Sequence, residues 1–247
     1  MKDKKIEQKR YDNRAKKSLK DNDFFNINNL SEPLKTPYLH YQEIVKNYMH
    51  NSDYVLEIGA GQGENTEILL NKDVKVIATD ISVKSLKVIE KRFANKNLST
   101  KVADIENLPF ADNYFDIVVS AGSLSYGDNK LVLNEIYRVL KKDGIFIAID
   151  SLNNNPIYRI NRYFHYLRGD RSKSVIKRIP NIKLLEKYKA KFGKIKVNYF
   201  GSISYLIPII VKLFGEKRAK IISDRVDNIF SAKKSAFKFV MVAQKDK

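Results

Sequence analysis

Apolar and polar positions change their spacing along this chain in a way that predicts alternating strands and helices. Short, mostly apolar segments at 54–58, 74–79, 115–120 and 145–149 have the length of β-strands, and the more polar segment 99–103 is interpreted as a further strand. The almost continuous apolar run 115–120 is typical of a strand covered on both faces. Between them, apolar residues recur every three or four positions, as in amphipathic helices. This alternation predicts an α/β fold with a doubly wound, mostly parallel sheet.

The first part of the chain follows a different pattern. Residues 1–30 are polar and rich in Lys, Asp and Asn, which predicts a flexible or helical N-terminal arm. Pro33 and Pro37 predict an extended entry, and the spacing of apolar residues predicts a helix from Tyr38 to His50.

The last part completes the sheet and adds a cap. Strands are predicted at 194–199 and 237–243, which gives a seven-stranded mixed sheet. Helical patterning at about 151–192 and 201–235 predicts two insertions that form a helical cap. Since no repeat or low-complexity linker interrupts the pattern, we expect residues 31–247 to form a single domain.

Composition excludes several kinds of chemistry. The chain has no Cys and three His, which excludes disulfides, thiolate metal sites and cysteine nucleophiles, and a metal centre built from protein ligands is not expected. The charged N-terminus lacks the apolar core of a signal peptide, and no apolar run has the roughly 20 residues of a membrane span. We therefore expect a soluble, cytoplasmic protein without a transmembrane segment.

The formal net charge of +18 leaves the type of partner open. A basic surface attracts nucleic acid, anionic membranes and phosphorylated ligands. A general bias of composition towards Lys, Asn and Ile explains the same charge without any of these partners.

The clearest candidate for chemistry is the glycine-rich turn after the first strand. The sequence Tyr54–Glu64 runs from an apolar strand into Gly59, Gly61 and Gly63, which let the backbone turn tightly and approach a ligand. A strand, a glycine turn and a helix form a nucleotide-type site at the carboxyl edge of a parallel sheet. The NAD fingerprint places its last two glycines three residues apart, whereas here they are two apart, which disfavours a dehydrogenase.

Polar residues also follow the next three strands. Asp80 ends the second strand, Asp104 follows the third, and Ser120-Ala-Gly-Ser-Leu124 follows the fourth. A carboxylate at the end of the second strand can accept hydrogen bonds from both hydroxyls of a ribose. Asp104 lies where an adenine amino group could be bound.

Together these segments resemble the class I S-adenosylmethionine-dependent methyltransferases, most closely the small-molecule "type 11" branch typified by ubiquinone- and menaquinone-biosynthesis methyltransferases. The resemblance covers about 53–149. It rests on Val55-Leu-Glu-Ile-Gly-Ala-Gly-Gln-Gly63, Val76-Ile-Ala-Thr-Asp-Ile-Ser82, Asp104 with Leu108-Pro-Phe110, Phe115-Asp-Ile-Val-Val119 and Glu135-Ile-Tyr-Arg-Val-Leu-Lys-Lys-Asp-Gly144.

The resemblance implies S-adenosylmethionine as cofactor, S-adenosylhomocysteine as product, and a set of cofactor-binding positions. The methionine part would lie near Glu57, Gly59, Ala60, Gly61 and Gly63; the ribose and adenine near Asp80, Ile81, Asp104 and Ile105; the sulfonium near Ser120 and Ala121. Tyr11 and Tyr38 are expected to fold over the cofactor, as N-terminal segments do in similar enzymes, with Tyr38 reaching the acceptor.

The acceptor is predicted from the basic segment after the fifth strand. Arg159, Arg162 and Tyr166 share a helical face by their spacing, and Arg168 follows. Because Arg binds phosphate through two hydrogen bonds, we expect a small anionic acceptor, phosphorylated or nucleotide-linked.

Neither the base nor the atom that is methylated follows from the sequence. His165, Tyr126 and Asp150 are candidates by position to receive a proton. A hydroxyl acceptor needs such a group, whereas an amine needs only a free lone pair.

Three alternatives stay open. The charge favours nucleic-acid methylation, although Ser120-Ala-Gly-Ser replaces the Asp/Asn-Pro-Pro-Tyr/Phe of enzymes that methylate exocyclic base amines. A non-catalytic protein could bind the cofactor and transfer nothing. The apolar run Leu206–Phe214 could be a lid, a homodimer surface, or a contact with a membrane that supplies a lipid or quinone-type acceptor.

Overall fold

The computed structural model describes residues 2–24, 26–168, 172–229 and 233–246. The strands are β1 (Tyr54–Ile58), β2 (Lys75–Asp80), β3 (Leu98–Val102), β4 (Phe115–Ala121), β5 (Leu140–Ser151), β6 (Lys194–Phe200) and β7 (Lys238–Gln244). The α-helices are α1 (Lys2–Asp21), α2 (Glu32–Tyr48), α3 (Thr66–Leu69), α4 (Val83–Arg92), α5 (Asn129–Val139), α6 (Pro156–Leu167), α7 (Lys173–Arg178), α8 (Ile182–Phe192), α9 (Ile207–Phe214) and α10 (Glu216–Ile229).

The described strands form one seven-stranded sheet in the order β3-β2-β1-β4-β5-β7-β6. The first five strands in the chain are parallel, and β7 runs antiparallel between β5 and β6. This arrangement confirms the predicted doubly wound mixed sheet. Because β1 to β4 are parallel, the turns that follow them meet at one edge of the sheet.

Helices cover both faces of the sheet, and the period-two alternation of β1 shows how. Leu56 and Ile58 pack into a core with residues of α5 and α8, including Ile136 and Phe192. Val55, one position out of phase, packs on the opposite face with the α2 core. A three-layer α/β/α arrangement results, with the sheet buried in the middle.

Several predicted boundaries were wrong for local reasons. The helix predicted from Tyr38 begins at Glu32, because Pro33 lies in its first turn, where a backbone amide has no helical partner, and Pro37 is accommodated within it. The helix that follows the glycine turn is short and spans Thr66–Leu69.

Other differences concern the second half. The strand predicted at 145–149 is longer, since β5 begins at Leu140, and its register with β4 shifts between Phe115 and Ile117. The short helix α7 was not predicted, and the segment 201–235 contains α9 and α10. The two proposed insertions include 169–171 and 230–232, which lie outside the described residues.

Candidate active site

A cavity of about 330 Å³ opens at the carboxyl edge of the parallel strands, a size in the usual range for small-molecule sites. The turns after all five parallel strands, β1 to β5, form its floor, and α1 covers it from above. The lining includes Lys4, Glu7, Tyr11, Arg14, Tyr38, Glu57, Gly59, Ala60, Gly61, Glu64, Asp80, Ile81, Asp104, Ile105, Ala121, Ser123, Tyr126, Ile149, Asp150, Ser151, Ile179 and Lys238.

The turn after β1 depends on glycine at two positions that face the cavity. Gly59 has a φ of +64° and Gly61 a φ of +57°, a backbone region that other residues rarely adopt. A Cβ on Gly59 would lie 2.3 Å from the Cβ of Ser123. Glycine is therefore required where this turn packs against Ser123, and the turn lines the cavity.

Asp80 ties this turn to the end of β2. Its Oδ2 accepts a hydrogen bond from the Gly61 amide at 3.0 Å, and its Oδ1 accepts one from the Ser82 amide at 2.8 Å. Burial raises the pKa of Asp80 to about 6, although these two amides act in the opposite direction. The Asp80 carboxylate is thus fixed beside the turn after β1, and it is mostly ionised at pH 7.

Glu57, on β1, lies beneath the turn and is buried. The hydroxyl of Thr66 donates to its Oε2 at 2.6 Å. Burial raises the pKa of Glu57 to about 8, with smaller contributions from the negative charges of Glu64 and Asp80. A buried carboxyl of this kind favours a cationic ligand, which would restore the charged form.

The N-terminal helix closes the other side of the cavity. Lys4 makes ion pairs with Asp104 and Glu106, and the Gln8 side chain donates to the carbonyl of Ile81 at 3.0 Å. One turn on, the hydroxyl of Ser82 donates to Asp12 at 2.6 Å. Helix α1 is therefore attached to the ends of β2 and β3 through polar contacts.

Two tyrosines join α1 to the turn after β4. The Tyr11 hydroxyl donates to the Tyr126 hydroxyl at 2.7 Å, and Arg10 donates to the same oxygen at 3.1 Å. Burial raises the pKa of Tyr11, so it stays protonated. Tyr126 lines the cavity, and its hydroxyl oxygen receives two hydrogen bonds from α1.

The cavity is acidic although the protein is strongly basic. Its described lining contains more carboxylates than cations. The carboxylates are Glu7, Glu57, Glu64, Asp80, Asp104 and Asp150, and the cations are Lys4, Arg14 and Lys238. Against a formal net charge of +18, this arrangement favours a cationic ligand inside the cavity.

Most of the predicted cofactor positions line the cavity. These are Tyr11, Glu57, Gly59, Ala60, Gly61, Asp80, Ile81, Asp104, Ile105 and Ala121. Gly63 and Ser120 are not in the lining. A Cβ on Gly63 would meet Phe93 at 2.6 Å, so this glycine permits the packing of α4, while Ser120 is buried and shares a hydrogen bond with Ser123.

The predicted acceptor residues are not brought together, because α6 turns a different face to the protein than expected. Tyr38 lines the cavity. Arg162 is buried and donates to the Leu152 carbonyl and to Asn153, both at 2.9 Å. Arg159 and Arg168 are exposed on the outside of α6 and the residue after it.

Of the three candidates for a base, two are at the cavity. Tyr126 and Asp150 line it, and Asp150 accepts hydrogen bonds from the amides of Leu124 and Ser151. His165 and Tyr166 belong to α6 and are not part of the lining.

Beyond Tyr11, sequence reasoning missed the cavity residues of α1, and it also missed the contribution of the last strand. Lys4, Glu7 and Arg14 face the cavity together with Tyr11, at spacings of three and four residues. That spacing is consistent with one face of a helix and could have predicted these residues, but a helix face made of polar residues is usually exposed to solvent. Lys238, at the start of β7, carried no local signal.

Residues 56–148 match the family model described as a methyltransferase domain. This range contains the turn after β1, Asp80, Asp104 and the turn after β4, which are the elements that build the cavity floor. Residues 56–148 are a class I methyltransferase domain.

Curated relatives are similar to part of the chain. A demethylmenaquinone methyltransferase of Thermotoga maritima is 35% identical over 108 residues, 42% of this chain. A sterol 4-C-methyltransferase of Caenorhabditis elegans is 31% identical over 142 residues, 56% of this chain. An uncharacterized protein of Methanocaldococcus jannaschii is 38% identical over 107 residues, 43% of this chain. The matched segments span 46%, 42% and 40% of these relatives, respectively.

Solved structures share the fold beyond the methyltransferase domain. A Haemonchus contortus phosphoethanolamine N-methyltransferase 2, in complex with S-adenosyl-L-methionine, has a TM-score of 0.61 at 18% identity, covering 85% of this chain and 53% of that one. The [4+2]-cyclase SpnF has a TM-score of 0.58 at 17% identity, covering 88% and 83%. At such identities the likeness shows the fold, and the named reactions differ within it.

Proposed function

We propose that this protein binds S-adenosylmethionine in the cavity and transfers its methyl group to a small-molecule acceptor. The observation that carries the proposal is the acidic cavity behind a glycine turn, in a protein of formal net charge +18. The donor carries a sulfonium and an ammonium, so a lining rich in carboxylates complements it. Gly59 and Gly61, whose positive φ angles favour glycine, present their backbone to the cavity.

Each part of the donor has a matching group in the cavity. Asp80, at the end of β2, is positioned to accept from ribose hydroxyls. Asp104, which follows the neighbouring strand β3, is positioned to accept from the adenine amino group. Glu57 would pair with the ammonium of the methionine part, because an opposite charge offsets the burial of its carboxylate. The sulfonium supplies an activated methyl group when the donor is bound.

The protein's own residues would then orient the acceptor and exclude water. Tyr38, Ile149, Ser151, Ile179 and Lys238 form the wall of the cavity near the end of β5, which we call the acceptor end. Helix α1 covers the opposite side. A methyl acceptor that enters at the acceptor end would be enclosed between these two walls.

We propose an anionic acceptor, with Lys238 as its partner in place of the arginines predicted from sequence. The Lys238 ammonium lies 4.9 Å from the centre of the Tyr38 ring, within the lining of the cavity. A lysine there binds phosphate or carboxylate as a point charge. Lys238→Ala should raise the KM for the acceptor at least about tenfold and leave donor affinity within about twofold.

An acceptor with an apolar tail is the second candidate. Ile149 and Ile179 contribute apolar surface to the acceptor end, and two relatives are named as menaquinone and sterol methyltransferases. Competition by a phosphorylated amine and by a quinol analogue, measured side by side, separates the two acceptor classes.

Proton removal, where the acceptor is a hydroxyl, would fall to Tyr126 or Asp150. Both line the cavity and are fixed by hydrogen bonds from neighbouring residues. Tyr126→Phe and Asp150→Asn should lower kcat for a hydroxyl acceptor by about 100-fold or more for the true base, and leave an amine acceptor much less affected. His165→Ala, outside the cavity, should change neither.

The decisive experiment is calorimetry with S-adenosylmethionine and S-adenosylhomocysteine. We expect binding by the wild-type protein and a loss of affinity of about 10- to 100-fold in Asp80→Asn, which keeps the shape and removes the charge. Asp143→Asn is the matched control, because Asp143 is an exposed carboxylate on β5. Absence of binding in folded wild-type protein, or equal affinities of the two variants, would contradict the proposal.

Turnover separates catalysis from binding alone. A non-catalytic protein of this fold would bind both compounds and release no S-adenosylhomocysteine with any acceptor. Product release with a panel of phosphorylated amines, quinols and sterols, compared with the Asp80→Asn variant, tests the transfer step itself.

A further inference from the structure

Helix α6 is packed with its apolar stripe facing outwards. Tyr158 and Arg162 form its buried face, whereas Ile160, Phe164 and Leu167 are exposed by 54% to 60%. Soluble helices usually bury the apolar stripe and expose the charged residues. This inverted packing leaves a helical row of large apolar side chains without a partner in the part of the chain that the structure describes.

A second exposed apolar row lies next to the first. Leu206, Ile209 and Leu213 repeat at helical spacing through α9 and are exposed by 37%, 58% and 67%. The two segments adjoin, because the Tyr158 hydroxyl donates to the Gly201 carbonyl at 2.7 Å and its ring lies 6.0 Å from the Tyr205 ring. We call the exposed sides of α6 and of residues 204–214 the docking surface.

The docking surface is cationic without any compensating acid. Residues 156–168 and 204–214 contain no Asp or Glu. Arg159, Arg168 and Lys212 are exposed beside the apolar rows. A second copy of the chain would bring these like charges together, which disfavours self-association, whereas an anionic surface would complement them.

We propose that the docking surface binds an anionic lipid bilayer. Amphipathic helices with large apolar side chains on one face and Lys or Arg beside them lie in the headgroup region, with the apolar face buried. None of the helices within the described residues is long and apolar enough to cross a bilayer, so the contact is peripheral. The proposal stands independently of methyl transfer.

The docking surface also adjoins the acceptor end of the cavity. The ring of Tyr158, on the buried face of α6, lies 4.7 Å from that of Phe237, and the next residue, Lys238, lines the cavity. A bilayer held by α6 would therefore lie on the side of the protein where the acceptor end is found.

Flotation with vesicles tests the proposal. Vesicles of phosphatidylcholine with 30 mol% phosphatidylglycerol should bind the full chain about tenfold or more tightly than phosphatidylcholine alone. Ile160→Ser with Leu213→Ser should lower that binding at least about tenfold. Leu131→Ser with Val102→Ser is the matched control, since both residues are exposed by nearly half but lie outside the docking surface.

The contribution of positive charge to vesicle binding is tested with a second double variant and its own control. Arg159→Gln with Lys212→Gln should weaken binding about 25-fold, because each basic residue near an anionic surface contributes about fivefold. Lys87→Gln with Lys142→Gln removes the same net charge from exposed positions elsewhere and should have a much smaller effect. Circular dichroism and affinity for S-adenosylhomocysteine, each compared with wild type, verify that the variants are folded.

Three results would overturn the proposal. Folded wild-type protein that floats with neither kind of vesicle excludes a bilayer contact. Equal binding by the docking-surface variants and their controls shows that the overall charge, and not this surface, is responsible. A dimer in sedimentation that dissociates in Ile160→Ser with Leu213→Ser, without vesicle binding, shows that the surface joins two copies.

Discussion

The cavity at the sheet edge and the docking surface of α6 and α9 differ in charge and in how their residues are used. Carboxylates outnumber cations in the cavity, whereas 156–168 and 204–214 contain no acidic residue. In the cavity, buried charges are held by backbone amides and hydroxyls; on the docking surface, large apolar side chains are exposed. Net charge alone, which is +18, describes neither region.

This difference shows that the amino-acid sequences of the two regions are restricted by different physical requirements. The cavity floor depends on backbone geometry and on hydrogen bonds between neighbouring strand ends, so its sequence is restricted. The docking surface depends on exposed composition, which tolerates many sequences. The family model correspondingly covers 56–148 and does not extend to α6 or α9.

The largest difference in the free energy of unfolding is expected between alanine substitutions at two glycines with similar φ angles. Gly59 and Gly215 have φ of +64° and +77°, but a Cβ would clash with Ser123 at Gly59 and meets nothing within 4 Å at Gly215. Gly59→Ala should lower the free energy of unfolding by about 4 kcal/mol and abolish donor binding, because strain and overlap add. Gly215→Ala should cost about 2 kcal/mol from strain alone, because a φ of +77° with a ψ of 165° is a conformation that almost only glycine adopts.

Urea unfolding and calorimetry measure both effects. Similar losses for the two variants would show that backbone angle alone, and not close packing at the sheet edge, restricts the turn after β1.

Glu57 should make stability fall as pH rises. Burial raises its pKa to about 8 in the folded protein, so between about pH 5 and pH 8 the folded state binds more protons than the unfolded state. The free energy of unfolding should therefore decrease by about 3 kcal/mol over this range on account of Glu57. Glu57→Gln should remove that decrease, as measured by urea unfolding at pH 5 and pH 8.

The same group should release a proton when the donor binds. At pH 7 the Glu57 carboxyl is largely protonated, and pairing with an ammonium favours its ionised form. Calorimetry in two buffers of different ionisation enthalpy should show this proton, and Glu57→Gln should not. Wild-type affinity that does not rise between pH 6 and pH 8 would contradict the assignment of Glu57.

A smaller effect is expected where α1 is attached to the edge. Lys4 is partly exposed and pairs with Asp104 and Glu106, so its ion pairs contribute less than about 1 kcal/mol. Lys4→Ala should speed donor release about threefold, in stopped-flow measurements, by loosening the helix that covers the cavity. Lys9→Ala, an exposed lysine on the same helix, should leave the rate unchanged.

Sequence prediction succeeded for the cavity floor and failed for helices α1 and α6. Gly59, Asp80 and Asp104 could be placed because each follows a recognisable strand, and parallel strands bring their ends together. The docking of α1 could not, because Lys4 meets Asp104 across 100 residues through charges that any exposed helix could carry. The predicted orientation of α6 was wrong for a related reason. Spacing places Arg159 and Arg162 near each other on the helix, but it does not say which side of the helix is buried.

The smallest effect on stability is expected for a leucine on the docking surface, and comparing it with a leucine in the core tests directly how the two regions differ. Leu56, fully buried on β1, and Leu213, exposed by 67% on α9, are both large apolar residues. Leu56→Ala should cost about 3 kcal/mol, because it leaves a cavity in the core. Leu213→Ala should change the free energy of unfolding by less than about 0.5 kcal/mol. If Leu213→Ala instead destabilises the isolated protein by more than about 1 kcal/mol in urea unfolding, the α9 row belongs to the core of the fold, and its exposure no longer argues for a bilayer contact.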